Sequence, residues 1–152
     1  MKSGLKIGVS AVQGAFIEHK RMLESLGCKC VELRRKSDIC DLDGLVLPGG
    51  ESTVQGKLLR ELDMFDELKE RIANGLPVLA TCAGLILLAS HISNDDNVYF
   101  GTLPVTVKRN AYGRQLGSFE ATARFDNSFD FTMTFIRAPY VEAIRSEEHT
   151  SE

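Results

Sequence analysis

The 152-residue sequence has no tryptophan, only four prolines, and few aromatic residues of any kind, 7% in all. No run of about 18 or more apolar residues is present, which excludes a membrane-spanning helix of ordinary length. The formal charge of −3 creates no overall field that would attract nucleic acid or an anionic membrane. The first residues lack the apolar segment and cleavage site of a signal peptide. We therefore expect a cytoplasmic protein that binds neither nucleic acid nor membranes.

Cysteine occurs four times, at positions 28, 30, 40 and 82. These spacings match no zinc-binding pattern, so we expect no metal site and reduced thiols. Apolar residues make up 43% of the chain and charged residues 26%, the composition of a soluble globular protein. A chain of this length can form one α/β domain with a substantial core.

Short apolar segments alternate with amphipathic segments through the first half of the chain. The predicted strands are residues 5–11, 30–33, 45–47 and 77–80, and the predicted helices are residues 16–26, 53–62, 65–73 and 85–90. This alternation predicts a parallel sheet flanked by helices. The second half has β-branched and aromatic segments at 105–107, 118–125 and 132–137 that predict further strands. The fold class is therefore α/β, with a three-layer, mostly parallel central sheet.

Two turns from a strand to a helix stand out, at residues 47–53 and 80–84. Parallel α/β sheets place their sites at the carboxyl ends of the strands, where both turns are expected. Cys82 follows a predicted buried strand and precedes a helix, the arrangement of a nucleophile elbow with cysteine in place of serine. The N–H of Ala83 and the Gly49-Gly50 turn are candidate donors to an oxyanion.

Each of these features has an ordinary structural explanation when it is taken alone. A cysteine between a strand and a helix is more often a small buried apolar residue, and two adjacent glycines commonly serve a tight turn. Together, at neighbouring strand ends, they point to acyl transfer through a thioester.

Five blocks of sequence, two of which contain these turns, strengthen this interpretation. They are Ala-Val-Gln-Gly at 11–14, Pro-Gly-Gly-Glu-Ser-Thr at 48–53, Thr-Cys-Ala-Gly-Leu at 81–85, Arg-Asn-Ala-Tyr-Gly-Arg-Gln followed by Ser-Phe-Glu between 109 and 120, and Phe-Ile-Arg-Ala-Pro at 135–139. Over residues 6–144 the chain resembles the class I, triad-type glutamine amidotransferases. Within them it is most similar to the glutaminase subunit of pyridoxal 5′-phosphate synthase. The resemblance implies a flavodoxin-like fold.

The resemblance also implies roles for individual residues. Cys82 matches the nucleophile that attacks the side-chain amide of glutamine, with Gly50 and Ala83 at the oxyanion. Six positions match residues that bind glutamine: Gly50, Glu51, Ser52, Arg109, Ile136 and Arg137. Gln13 matches a residue that faces the partner, the synthase subunit. A guanidinium such as that of Arg109 suits the substrate carboxylate.

The activity that the resemblance implies is hydrolysis of L-glutamine to glutamate and ammonia through a cysteine thioester. The ammonia is delivered to the synthase subunit of pyridoxal 5′-phosphate synthase, in vitamin B6 biosynthesis, within a hetero-oligomer. The glutaminase subunit itself holds no cofactor and no metal. Partner binding reorders the oxyanion turn in this family, and Gly49-Gly50 is a plausible hinge for that change.

The sequence departs from the family at the general base of the catalytic triad, which is a histidine in the family. The family histidine lies in a His-Pro-Glu motif, and none of His19, His91 and His149 does. We expect His19 to face solvent or an interface and His91 to lie on the surface. His149 lies in residues 145–152, which resemble the in-frame translation of a sequencing adapter.

We therefore expect an amidotransferase domain over residues 1–144 that lacks its last strand and helix, followed by a non-native tail over 145–152. Such a chain should have little glutaminase activity, because an orphaned nucleophile loses most of the chemical step. It should also expose apolar surface and aggregate easily.

Other functions stay open at this point. One is another cysteine hydrolase on the class I amidotransferase fold, such as a peptidase-like member. A second is a thiol or redox sensor that uses Cys82, although no resolving cysteine is obvious. A third is a noncatalytic binding protein.

Overall fold

The computed structural model describes residues 4–109, 119–125, 129–135 and 139–144. The strands are β1 (Lys6–Ser10), β2 (Lys29–Leu33), β3 (Gly44–Leu47), β4 (Val78–Ala80), β5 (Ala89–Ile92), β6 (Leu103–Lys108), β7 (Phe119–Phe125), β8 (Phe129–Phe135) and β9 (Tyr140–Ile144). The helices are α1 (Phe16–Ser25), α2 (Ser52–Glu61), α3 (Phe65–Ala73) and α4 (Ala83–Leu88). None of these helices is both long and apolar enough to cross a membrane.

The central sheet is parallel, with its four strands in the order β2-β1-β3-β4. Ile7 of β1 pairs with Cys30 of β2 and Gly44 of β3, and Leu45 of β3 pairs with Val78 of β4. Because the strands are parallel, the turns that follow β1, β3 and β4 lie at one edge of the sheet. The predicted α/β class with a parallel central sheet flanked by helices is confirmed.

Burial differs between the two strands that precede the candidate site. β3 is buried along its whole length. β4, which was predicted to be buried, leaves Leu79 more than half exposed, at 54%. The physical reason is its place in the sheet, because β4 is an outer strand and no strand of the described ranges pairs with its other edge.

The main core fills the space between the sheet and helices α2, α3 and α4. Apolar side chains of β3, such as Leu45 and Leu47, join Leu59 of α2 and Leu68 of α3 in one buried cluster. Helix α4 packs on β3 and β4 and against α2. Burial of this kind contributes roughly 25 cal/mol for each Å² of apolar surface removed from water, so it fixes α4 firmly on the sheet.

Helix α1 ends at Ser25, and Gly27 closes it just beyond the C-cap, as the sequence predicts. The N–H of Gly27 donates to Glu24 O at 3.0 Å, and the N–H of Cys28 donates to Leu23 O at 3.0 Å. These two bonds form a Schellman motif, which provides hydrogen-bond donors for carbonyls of the last helical turn that have no partner within the helix. The chain then enters β2 directly.

The second half forms smaller sheets. β5 pairs in parallel with β6, β6 pairs antiparallel with β9, and β7 and β8 form an antiparallel hairpin. The helix predicted over residues 85–90 is partly wrong, because α4 ends at Leu88 and residues 89–92 form β5. Ala89 and Ile92 are buried in a second apolar cluster with Val105 and Val107 of β6, and this pairing replaces further helical turns.

Candidate active site

Cys82 lies at the turn between β4 and α4, at the carboxyl edge of the parallel sheet. Cys82 is exposed, whereas Ala83 and Gly84 behind it are buried. Its backbone has φ +50° and ψ −110°, a conformation that costs an L-residue on the order of 1–3 kcal/mol. The exposed thiol on a sharp turn agrees with the nucleophile-elbow geometry, and its catalytic role stays a prediction.

The first N–H groups of α4 are arranged around this turn. Gly84 N–H donates to Thr81 O at 2.8 Å, and Leu85 N–H donates to Cys82 O at 3.0 Å. Ala83 occupies the first position of the helix, where an N–H has no acceptor within the helix. Ala83 therefore offers a donor immediately beside the thiol.

The turn after β3 lies against the turn after β4. A β-carbon built on Gly49 would lie 3.4 Å from the β-carbon of Cys82. The carbonyl of Gly49 accepts a hydrogen bond from Ala15 N–H at 2.9 Å. Because C=O and N–H point in opposite directions in a trans peptide, the N–H of Gly50 points away from Ala15. The fold thus brings the glycine turn and Cys82 together.

Gln13, predicted to face a partner, contacts the same turn. Its side-chain Oε1 accepts from Glu51 N–H at 2.9 Å, and its backbone carbonyl accepts from Gln55 Nε2 at 3.1 Å. Gln55 is buried and also donates to Pro48 O at 3.2 Å. The loop after β1 and the glycine turn are therefore one hydrogen-bonded unit.

Glu51 and Ser52 begin helix α2. The Glu51 carboxylate caps the helix by accepting from Thr53 N–H at 3.4 Å and from Val54 N–H at 3.2 Å. The Ser52 side chain is buried, and its hydroxyl has no hydrogen-bond partner among the described residues. A buried hydroxyl without a partner costs free energy.

Arg109 directly follows β6 and connects the site to the loop between β5 and β6. Its Nη2 donates to Glu51 Oε1 at 3.0 Å, and its Nη1 donates to Asp95 Oδ2. The Arg109 side chain is 20% exposed and that of Asp95 16%, whereas Glu51 is 48% exposed. The guanidinium is therefore largely buried between two carboxylates, one enclosed and one open to solvent.

The enclosed carboxylate is electrostatically stabilised. The backbone N–H of Asn97 and the Arg109 guanidinium hold the pKa of Asp95 below its usual value, although burial acts in the opposite direction. Asn97 donates to Asp95 Oδ1 through its backbone at 2.9 Å and through its side chain at 2.8 Å. Asp95 is therefore ionised at neutral pH.

The lowered pKa of Asp95 predicts a pH-dependent contribution to stability. Since the folded state favours the charged form, this contribution is complete above the unfolded pKa of about 3.9 and disappears as the pH falls through the folded pKa. We expect Asp95→Asn to lower the free energy of unfolding by about 1 kcal/mol near pH 7. Urea unfolding should show the difference between variant and wild type shrinking toward about pH 3. An equal difference at both pH values would contradict this account.

His19 was expected to face solvent or an interface, and the structure places it nearer the site. It is half-buried on α1, and its Nε2 lies 3.2 Å from Oγ1 of Thr81, the residue before Cys82. His91 is exposed on β5, in agreement with the expected surface position. His149 lies outside the described residues.

Two predicted glutamine-binding residues, Ile136 and Arg137, also lie outside the described residues. Sequence reasoning assigned no role to Asp95, Asn97 and Gln55. No short motif marks them, because Asp95 and Gln55 act through contacts with segments distant along the chain and Asn97 acts through Asp95. A polar residue buried on a helix, such as Gln55, is the kind of signal that only burial reveals.

All four cysteines are free thiols, and Cys40 is exposed like Cys82. Within the described ranges, no group of three or more His, Cys, Asp or Glu side chains could hold a metal ion. Burial raises the pKa of the Cys30 thiol, which favours its protonated form. The Cys82 thiol, at the sheet edge, is more exposed than that of Cys30.

Known proteins are similar to this chain in sequence and in fold. A model of the SNO glutamine amidotransferase family matches residues 9–152. The pyridoxal 5′-phosphate synthase subunit PdxT of Desulfitobacterium hafniense (strain DSM 10664 / DCB-2) is 63% identical over 141 residues, covering 92% of this chain and 71% of that protein. PdxT of Haemophilus influenzae (strain PittEE) is 53% identical over 144 residues, covering 92% and 75%. A crystal structure of a glutamine amidotransferase matches with a TM-score of 0.80 and 42% identity, covering 91% of this chain and 75% of that chain.

Proposed function

Because the chain belongs to the SNO glutamine amidotransferase family, we propose that it is the glutaminase subunit of a pyridoxal 5′-phosphate synthase, with Cys82 as its nucleophile. The observation that carries this proposal is the strained, exposed turn at Cys82 beside Gly49. A thiol held in this way is accessible to a substrate carbonyl, and backbone N–H groups lie close to it.

The charged groups of the site suit free L-glutamine. Arg109 and Glu51 present opposite charges 3.0 Å apart, which complement the α-carboxylate and α-ammonium of an amino acid. Ser52, which the resemblance assigns to glutamine, lies beside Glu51 at the start of α2. In this arrangement the amino-acid head binds between α2 and β6, and the side-chain amide extends toward Cys82.

The chemistry that we propose forms and breaks one C–S bond. The Cys82 thiolate attacks the amide carbon, and the N–H groups of Ala83 and Gly50 stabilise the oxyanion. The C–N bond then breaks, the nitrogen takes up a proton and leaves as ammonia, and a γ-glutamyl thioester remains. Water attacks the thioester, releases glutamate and restores the thiolate.

Ammonia passes to a synthase subunit in this proposal, and docking of that subunit acts on the oxyanion turn. The support is the bond from Ala15 N–H to Gly49 O and the bond from Glu51 N–H to Gln13 Oε1. A partner that displaces the Gln13 loop must also move the Gly49-Gly50 peptide, because the two are bonded directly. Ammonia retained in the complex reacts before it escapes to solvent.

Turnover requires a base as well as a nucleophile. The printed sequence contains no His-Pro-Glu motif, and none of its three histidines matches the family base. We therefore expect the 152-residue chain to turn over glutamine slowly and to retain its ability to bind glutamine and to be alkylated at Cys82. A test of the proposed function should measure those two properties.

The test uses a chloromethyl-ketone analogue of glutamine, from which a cysteine thiolate displaces chloride. We expect the 152-residue chain to be alkylated at Cys82 at least about tenfold faster than at exposed Cys40, because the analogue binds beside Cys82 alone. Free L-glutamine should slow the reaction at Cys82. Peptide mass spectrometry measures both rates.

Two variants serve as controls for this experiment. Cys82→Ser should abolish the fast reaction, and Cys40→Ser should leave it unchanged. Equal rates at Cys82 and Cys40, or no protection by glutamine, would overturn the proposed function.

A further inference from the structure

We propose that Asp95 is a positioning residue that fixes the Arg109 guanidinium for the carboxylate of the substrate. The proposal rests on the proposed function, because it assigns a way in which the same site holds glutamine. The observation that carries it is the set of hydrogen bonds joining the loop between β5 and β6 to Arg109.

The loop first fixes the backbone of Arg109. The side-chain amide of Asn94 donates to Arg109 O at 2.9 Å and accepts from Arg109 N–H at 3.0 Å. One side chain thus satisfies both backbone groups of Arg109, in the manner of a neighbouring strand. The starting point of the arginine side chain is therefore set by the loop.

Asp95 then fixes the far end of the same side chain. Its Oδ2 accepts from Arg109 Nη1, and its Oδ1 accepts from both the backbone and the side chain of Asn97. The carboxylate is therefore held on both oxygens before it meets the guanidinium. Charge-assisted bonds of this kind are the strong ones, and they restrict the rotamers of a long side chain.

The two carboxylates beside Arg109 differ in a way that separates their roles. Asp95 is enclosed and bonded to its own loop, whereas Glu51 is about half exposed, at 48%, and belongs to α2. A guanidinium has five N–H donors, so Asp95 on Nη1 leaves donors for a second carboxylate. The Nη2 side, which faces Glu51, is then the side open to the substrate. Asp95 holds the guanidinium in place, whereas Glu51 and the ligand carboxylate both bind on its Nη2 side.

The experiment measures alkylation of Cys82 in the 152-residue chain by the chloromethyl-ketone analogue of glutamine and, separately, by iodoacetamide. We expect Asp95→Asn to lower kinact/KI for the analogue by about 10-fold through a higher KI, because the arginine no longer meets the carboxylate in a fixed geometry. Iodoacetamide lacks the amino-acid head, so its rate at Cys82 should be unchanged. A general loss of structure would alter both reagents.

Matched variants complete the test. Asp96→Asn removes the same charge one residue along the loop, at an exposed position, and should leave KI unchanged. In an Arg109→Met background, Asp95→Asn should have no further effect, because the group that it positions is gone. Asn97→Ala removes one bond to Asp95 and should raise KI by a smaller factor, which provides a test if Asp95→Asn fails to fold.

Failure of this inference and failure of the proposed function give different results. If glutamine protects Cys82 of the wild-type chain and neither Asp95→Asn nor Asn97→Ala raises KI, the positioning role is overturned and the proposed function stands. The role would also be overturned if Asp95→Asn raised KI by the same factor in the Arg109→Met background as in the wild-type chain. If glutamine gives no protection in the wild-type chain, the proposed function fails, and this inference fails with it.

Discussion

Replacing Gly84 by alanine should lower the free energy of unfolding by about 3 kcal/mol, among the largest effects of any single methyl group in this chain. A β-carbon at this position would overlap the carbonyl oxygen of Leu47 and lie 2.8 Å from the carbonyl carbon and the β-carbon of that residue. Atoms of a buried strand cannot move aside as the end of a flexible side chain can. Helix α4 would have to separate from β3. Urea unfolding measures the loss.

The same substitution should also disturb the candidate site. Because Cys82 stands immediately before α4, displacement of the helix moves the thiol relative to Gly49, which now lies beside it. We expect alkylation of Cys82 by the glutamine analogue to slow in parallel with the loss of stability. Iodoacetamide, which needs only an accessible thiol, should be affected less.

Gly56 provides a matched control for Gly84. It lies within α2, and a β-carbon there would meet the ring of Tyr99 at 2.5 Å, a side chain rather than backbone. Tyr99 packs against both apolar clusters, so its ring must shift, but a side chain shifts at lower cost than the backbone of a buried strand. Alanine also favours a helix over glycine by about 1 kcal/mol, so Gly56→Ala should destabilise the protein clearly less than Gly84→Ala. A Gly84→Ala protein as stable as Gly56→Ala would show that α4 does not press on β3 as described.

Replacing Cys82 by glycine should stabilise the protein relative to Cys82→Ala by about 1–2 kcal/mol. The reason is the backbone at this position, with φ +50° and ψ −110°, which glycine adopts without the steric cost that any β-carbon incurs. Both variants lose the thiol, and both should lose alkylation completely. The comparison between them therefore isolates the strain of the turn from the chemistry of the sulfur.

Thermal and urea unfolding of the two variants supply the measurement. Cys82 is the N-cap of α4, a position where glycine is ordinarily preferred to alanine by up to about 1 kcal/mol, so the size of the difference is diagnostic rather than its sign. Equal stability of the two variants would mean that the turn at residue 82 carries no strain. A Cys82→Gly protein more stable than Cys82→Ala by clearly more than this N-cap preference would show that the chain gives up stability to hold its thiol exposed.

Local patterns in the sequence predict much of the central fold. Helix α3 covers the predicted residues 65–73, and Gly27 closes α1 as predicted, because periodicity and a helix stop act within a few residues. The helix prediction failed at residues 89 and 90, which belong to β5, the strand that pairs in parallel with β6. The prediction of burial failed for β4, whose apolar Leu79 is exposed on an outer strand. Both errors arise from neighbours that are distant in sequence.

The amino-acid sequence by itself determined the class of fold, the two turns at the sheet edge, the thiol at the second of them and the resemblance to glutamine amidotransferases. Those properties depend on residues close together in the chain. Only the tertiary structure decided which side chains support that edge. Asp95 meets Arg109 across 14 residues, Gln13 meets Glu51 across 38, and His19 meets Thr81 across 62. Such contacts form only when separate strands and loops are brought together, so no local pattern of residues encodes them.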